Sequence, residues 1–294
     1  MARTAAVIDV GSNTVRLLVA RRGACAPVPT HTERVQLALG REVEDHGRIS
    51  DKSLATTADV VRRLCAHARA HRAETIDVLV TSPGRQAENG SDLVDAIERA
   101  VEARVRILSP DEEARLAFAG AVAMIGPKAS VAAVVDLGGA STEIAVGPPE
   151  TGTVWVRSVE IGTVSLTMRL FPGANPGRLE VETARAEVAH AFADVEPPRP
   201  ELALVVGGSA RALRRVLGPS LGPGELAGAA SLLPMCSQQT VRRRFRVAKR
   251  RVPLLVATAL VLAEVQNRLA VPLLVVDGGV REGALLELRL AAAA

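Results

Sequence analysis

The chain has no tyrosine, one tryptophan (Trp155) and four phenylalanines, so aromatic residues fill only 2% of its 294 positions. Stacking exposed bases needs aromatic faces, and their scarcity argues against a specific nucleic-acid partner. Cysteine is equally sparse. Cys25, Cys65 and Cys236 are odd in number and far apart, without a Cys-x-x-Cys pair, which excludes a disulfide framework and suggests buried thiols in a reducing compartment. The five histidines read as too scattered for a zinc site of the usual kind. Long apolar runs are missing too. The most apolar segment, Val252 to Val265, contains Pro253 and Glu264 and falls short of the roughly 20 residues that span a bilayer. It reads as a buried core helix, with no membrane partner. The N-terminus runs straight into a strand-like stretch, without the pattern of a secretory leader, so the expected location is the cytoplasm.

What is present is the composition of a globular protein, with 48% hydrophobic and 23% charged residues. A net charge of +4 leans toward an anionic partner. Short runs of Val, Ile and Leu alternate with longer helical patterns, the signature of an α/β architecture. Strands are expected at 5–10, 15–20, 76–81, 105–108, 132–136, 143–146, 202–206 and 273–276. Helices are expected at 53–70, 91–101, 110–123, 178–192, 209–217, 237–246, 254–269 and 280–290. Ser109 stands at the N-cap of the third helix, with Pro110 at its first position.

One internal echo organises the chain. Ile8-Asp9-Val10-Gly11-Ser12-Asn13-Thr14 and Val135-Asp136-Leu137-Gly138-Gly139-Ala140-Ser141-Thr142 are each a strand, an aspartate and a turn of small residues, followed by another strand. The two aspartates stand 127 residues apart, close to half the chain, which suggests a duplicated domain. The boundary is placed at Pro127, giving domains 1–127 and 128–294, with the last helix free to pack back on the first domain.

Small side chains let the main chain approach an anion closely, so each turn offers successive N–H groups and short hydroxyls to a phosphate. Asp9 and Asp136, at strand ends beside these turns, suit Mg²⁺, which takes one or two carboxylates plus substrate oxygens. Either turn by itself is also an ordinary tight hairpin; two of them together favour the phosphate reading. A third small-residue stretch, Gly207-Gly208-Ser209, follows a strand and opens a helix. It could hold a phosphate or nucleoside, or merely cap that helix.

These two loops, together with Ser109-Pro110-Asp111-Glu112-Glu113-Ala114-Arg115-Leu116 and Asp277-Gly278-Gly279-Val280-Arg281-Glu282-Gly283 in that order, resemble the exopolyphosphatase and guanosine pentaphosphate phosphohydrolase family. The resemblance implies two ribonuclease H-like domains of the actin, Hsp70 and sugar-kinase superfamily with an active-site cleft between them, in a short two-domain form. It implies a phosphohydrolase acting on inorganic polyphosphate or guanosine pentaphosphate with Mg²⁺, and a homodimer. Glu113 matches the family's catalytic base, with Glu112 as its alternative. Asp9, Asp136 and Glu143 match the metal and water network. Ser12, Asn13, Thr14, Ser141 and Thr142 match the phosphate-contacting side chains, beside the amides of Gly11, Gly138 and Gly139, and Arg85 matches an arginine that grips the polyanion.

Three departures stand out. Ala140 replaces a third glycine, which would cost roughly 1–2 kcal/mol if that position needed positive φ. Ser165 stands where many relatives carry arginine, and Lys249–Pro253 lacks an expected acid. These changes keep a second reading open, a polyphosphate or nucleotide sensor without turnover; a sugar or acetate kinase is a more distant third. Finally, seven of the ten residues from Arg242 to Arg251 are basic. On one continuous helix, Arg242, Arg246, Lys249 and Arg250 would share a face able to steer a polyanion or simply face solvent.

Overall fold

The computed structural model describes residues 4–21, 23, 26–126, 128–173 and 175–291, with the side chains of 289–291 left aside. Cys25 and Pro127 therefore lie outside the described residues. Two compact units emerge, one of residues 1–124 with 280–294 and the other of 125–279.

The first unit begins with an antiparallel meander, β1 (Thr4–Val10), β2 (Thr14–Arg21) and β3 (Val28–Gln36). It continues through α1 (Leu39–His46), α2 (Asp51–Ala70), β4 (Thr75–Val80), α3 (Ser82–Gln86), α4 (Gly90–Ala100), β5 (Arg104–Ile107) and α5 (Pro110–Ile125). The sheet order is β3-β2-β1-β4-β5, with β4 parallel to β1 and β5 parallel to β4. β1 is the central strand. Its Ala6, Val7, Ile8 and Val10 are fully buried because helices cover both faces of a parallel centre.

The second unit repeats this plan. β6 (Ala132–Leu137), β7 (Thr142–Gly147) and β8 (Trp155–Val159) form the meander, followed by α6 (Thr163–Leu170), α7 (Arg178–Ala191), β9 (Leu202–Val206), α8 (Gly208–Leu217), β10 (Ser220–Leu221), α9 (Pro223–Leu232), α10 (Gln238–Phe245), α11 (Leu255–Leu269) and β11 (Leu273–Val275). The order β10-β11-β9-β6-β7-β8 matches the first sheet strand for strand, with β10 added at one edge. Both units are thus ribonuclease H-like α/β folds, and the sequence echo is a structural duplication.

The chain returns to the first unit through α12 (Val280–Ala291), which packs against β1. Residues 280–294 therefore leave the second domain as drawn from sequence. Gly283 makes the return possible, since a Cβ there would stand 2.0 Å from the Leu116 carbonyl oxygen on α5.

Three strands are absent from the sequence reading: the two-residue β10, and β3 and β8, which are the outer strands of the two meanders. Half-exposed edges carry weak apolar alternation, and β3 contains Pro29, which only an edge strand tolerates. Together with the 3₁₀ turn at Lys249–Leu254, α11 forms a stretch long and apolar enough to cross a membrane, yet most of it is buried inside the second unit. It is a core helix. Cys65 is buried, whereas Cys236 is only partly so.

Candidate active site

The two sequence echoes become turns of the same construction. In the first, the Gly11 N–H donates to the Thr14 carbonyl at 3.1 Å; in the second, the Gly138 N–H donates to the Ser141 carbonyl at 3.0 Å. Each turn is then held from behind by the start of a helix. The Ser12 carbonyl accepts from the Gly40 N–H at 2.6 Å, and the Asn13 carbonyl from the N–H groups of Leu37 and Ala38. Correspondingly, the Gly138 carbonyl accepts from the Thr163 N–H at 3.1 Å, and the Gly139 carbonyl from those of Val164 and Ser165 at 2.8 and 3.0 Å.

A glycine permits each contact. A Cβ on Gly40 would meet the Ser12 Cβ at 2.7 Å, and one on Gly162 would meet the Gly139 carbonyl carbon at 2.2 Å. Because a trans peptide directs its C=O and N–H oppositely, anchoring these carbonyls turns the N–H groups of Asn13, Gly139 and Ala140 the other way. Among the described residues these three donate to no protein acceptor. Within each turn, amides turned this way suit an anion.

Not every hydroxyl in the turns is offered. Thr142 is 0% exposed and donates to the Ile161 carbonyl at 2.6 Å, so it braces the second loop instead of facing a phosphate. Thr14 is buried and accepts from Arg16 Nε. Ser12 reaches the Ser82 hydroxyl at the start of α3. Ala140 lies outside the positive-φ region, so the strain expected from its missing glycine does not arise. Ser165, in place of an arginine, accepts from the Gly162 N–H through its hydroxyl at 3.3 Å.

The carboxylates divide between the units. Asp9 stands opposite Arg16 across β1 and β2. Burial pushes its carboxyl above the ordinary value of 3.8, while the positive charges of Arg16 and Arg281 oppose the shift. In the second unit, Asp136 stands directly opposite Glu143 across β6 and β7. Glu143 is 1% exposed and accepts from the Ser158 hydroxyl at 2.8 Å. Among the described residues no three His, Cys, Asp or Glu side chains gather as a metal site. His67 and His71 do have helical i,i+4 spacing, missed in the sequence reading. His67 instead bonds Glu33, and His71 stacks on His31.

Arg85 and Glu113, singled out separately, are brought together. Arg85 Nη1 donates to Glu113 Oε2 at 2.8 Å and to the Leu108 carbonyl at 2.7 Å, with the two side chains only 17% and 12% exposed. The adjacent glutamates have different partners. Glu112 accepts from the Ser109 N–H, while its own N–H donates to Ser109 Oγ, a capping box that pulls its carboxyl below the ordinary value. Glu112 serves the helix end and Glu113 points to Arg85.

Gly207 and Ser209 have structural partners within the second unit. A Cβ on Gly207, at φ 112°, would stand 2.5 Å from the Leu137 carbonyl oxygen. The buried Ser209 hydroxyl binds Thr163 Oγ1 and accepts from Arg251 Nη1 at 2.9 Å. Thr163 in turn reaches the Gly138 carbonyl, so this side-chain relay supports the second loop. Sequence reasoning gave Arg281 no role; its place within the Asp277–Gly283 motif was the available signal. The basic run is also not one helix. α10 ends at Phe245, and Arg246 adopts φ 52° and ψ 35°, which breaks the expected stripe.

Duplicated ribonuclease H-like units with amide-lined turns and an oriented glutamate define a phosphoryl-handling enzyme. Residues 18–292 match the Ppx/GppA phosphatase family, and the chain belongs to that family. It is accordingly a phosphoanhydride hydrolase. The chain is 28% identical over 299 residues to exopolyphosphatase 1 of Mycobacterium tuberculosis (strain ATCC 25618 / H37Rv), covering 95% of this chain and 86% of that protein. Exopolyphosphatase 2 of the same organism is 33% identical over 189 residues, covering 61% of this chain and 59% of that protein. A solved Ppx/GppA family member from Aquifex aeolicus superposes with a TM-score of 0.86 at 24% identity over 100% of both chains. An exopolyphosphatase structure from Cytophaga hutchinsonii gives 0.80 at 22% identity over 97% of each.

Proposed function

We propose that this chain removes terminal orthophosphate from inorganic polyphosphate, with guanosine pentaphosphate as a second substrate for the same chemistry. The observation that carries this reading is the Arg85–Glu113 pair. It hangs from α3, the helix whose first residue, Ser82, touches Ser12 of the first phosphate loop. Each loop by itself offers backbone amides to phosphoryl oxygens. Glu113, aimed by Arg85, orients a water and takes its proton as the water oxygen attacks the terminal phosphorus. The bridging P–O bond breaks, its electrons pass to the shortened chain, and orthophosphate leaves.

Mg²⁺ fits the second unit. Asp136 and Glu143 set two carboxylates side by side, a repulsive arrangement that a divalent cation relieves, and Mg²⁺ characteristically completes its shell with water and phosphate oxygens. Asp136 and Glu143 would hold it. When bound, the ion neutralises charge on the phosphoryl oxygens.

The test is orthophosphate release from long-chain polyphosphate and from guanosine pentaphosphate, with Mg²⁺ and with chelator. Metal-dependent release from polyphosphate supports the proposal, and activity on the second substrate adds it to the reading. Tight binding of both without any release would overturn the proposal in favour of a sensor.

A further inference from the structure

The second unit holds a concave cationic site away from its amide turn. Ser237 caps α10 through the Thr240 N–H, and the left-handed Arg246 turns the chain so that the Lys249–Leu254 turn packs back against α10. A pocket of about 430 Å³ is lined by Gln238, Gln239, Arg242, Arg243, Lys249 and Val252. That volume lies within the range of small-ligand sites. The break that spoiled the helical stripe therefore folds its charges around a pocket.

The lining specifies the ligand. Arg242, Arg243 and Lys249 form no ion pair among the described residues, and the chain has no acidic residue between Glu225 and Glu264. Two guanidinium groups, one ammonium and two side-chain amides are donors suited to phosphate oxygens. With no aromatic wall, the pocket has nothing on which to stack a nucleobase. Exposed Arg244, Arg246 and Arg250 carry positive charge beyond its rim, which suits a linear polyanion better than one compact ion.

We propose that this pocket is an accessory site for inorganic polyphosphate. It seats linked phosphates that are not the reacting terminus and so favours long chains over short ones. The proposal rests on polyphosphate being the substrate, and its test separates the two ideas.

Equilibrium binding of long-chain polyphosphate and of tripolyphosphate, in chelator, should be compared between the wild type and a combined Arg242→Ala, Arg243→Ala and Lys249→Ala variant. All three side chains are exposed, so the variant should melt at the wild-type temperature. Long-chain affinity should fall about ten-fold or more. Orthophosphate release from tripolyphosphate should stay unchanged, while KM for the long chain rises with kcat preserved. Arg242→Glu alone should weaken long-chain binding in the same direction. Unchanged long-chain affinity in both variants would overturn the proposal. So would an equal loss for tripolyphosphate, which indicates a site for a compact anion, or equal competition by RNA of matched phosphate number, which indicates an unselective basic surface. Pocket-dependent binding in a wild type that releases no phosphate would reject hydrolysis while leaving the accessory site standing.

Discussion

Arg85 clamps Glu113 while itself held by the Leu108 carbonyl, so a loop carbonyl, a guanidinium and a carboxylate form one connected unit between α3 and α5. The pair is mostly shielded from water. A carboxylate held this way has its aim set before substrate arrives, which is what a water-orienting group requires.

Glu113→Gln should keep the helix and the shape of the side chain while removing the proton acceptor. Orthophosphate release should fall by about 10²–10⁴-fold with polyphosphate binding retained. Parallel kinetic and binding measurements check both halves, and a variant that turns over normally would reject the assignment.

Arg85→Ala should leave Glu113 partly buried and deprived of this guanidinium, costing about 1–3 kcal/mol of stability and lowering kcat more than it raises KM. Arg85→Lys should recover part of the stability but less of the rate, because one ammonium cannot reproduce the planar fork. Denaturant unfolding and steady-state kinetics on the two variants distinguish positioning from simple packing.

Glu112→Ala should spare turnover and cost about 0.5–1 kcal/mol through the lost cap, discounted for solvent exposure. The Glu112 carboxyl has a folded-state pKa below the ordinary 4.5. Its stabilisation is therefore present above 4.5 and lost as pH falls through the folded value, so wild type and variant should converge in acid. Unfolding curves across that range test the sign.

Asp9 behaves oppositely. Its folded pKa is raised by burial, so the folded state binds a proton more tightly than the unfolded chain, and this group erodes stability as pH rises from 3.8 through the folded value. Asp9→Asn should raise the melting temperature at neutral pH, and the gain should vanish well below pH 3.8. Orthophosphate release should fall in the same variant, the cost of a site group held against its folding preference.

Gly162→Ala tests the scaffold of the second loop. Its Cβ would intrude on the Gly139 backbone, so the loop or α6 must shift, with a stability loss of about 1–3 kcal/mol and weaker phosphate binding. By contrast, Ala140→Gly should change little, since that backbone needs no positive φ. Melting temperatures and binding isotherms of the two variants provide the comparison.

The duplication was legible because buried central strands such as Ile8-Asp9-Val10 and Val135-Asp136-Leu137 must be apolar up to the point where an aspartate and small residues end them. Glu113 and Arg85 were legible as motif residues, through resemblance. The edge strands β3 and β8 were not, since an edge needs to bury only part of one face. α6 was missed because Thr163, Val164 and Thr167 suit a strand locally; the Gly138 and Gly139 carbonyls that receive its first amides are remote in sequence.

By itself the sequence determined the α/β class, the repeated aspartate-and-turn loops and the family chemistry, all carried by local patterns and short contiguous motifs. The tertiary structure decided which glutamate caps a helix and which meets Arg85, that Thr142 and Ser209 brace a loop, and that α12 carries Arg281 toward Asp9. It also folded the basic run into a pocket. Each of these outcomes depends on groups distant along the chain meeting at hydrogen-bond or ion-pair range, and residue order alone does not contain those distances.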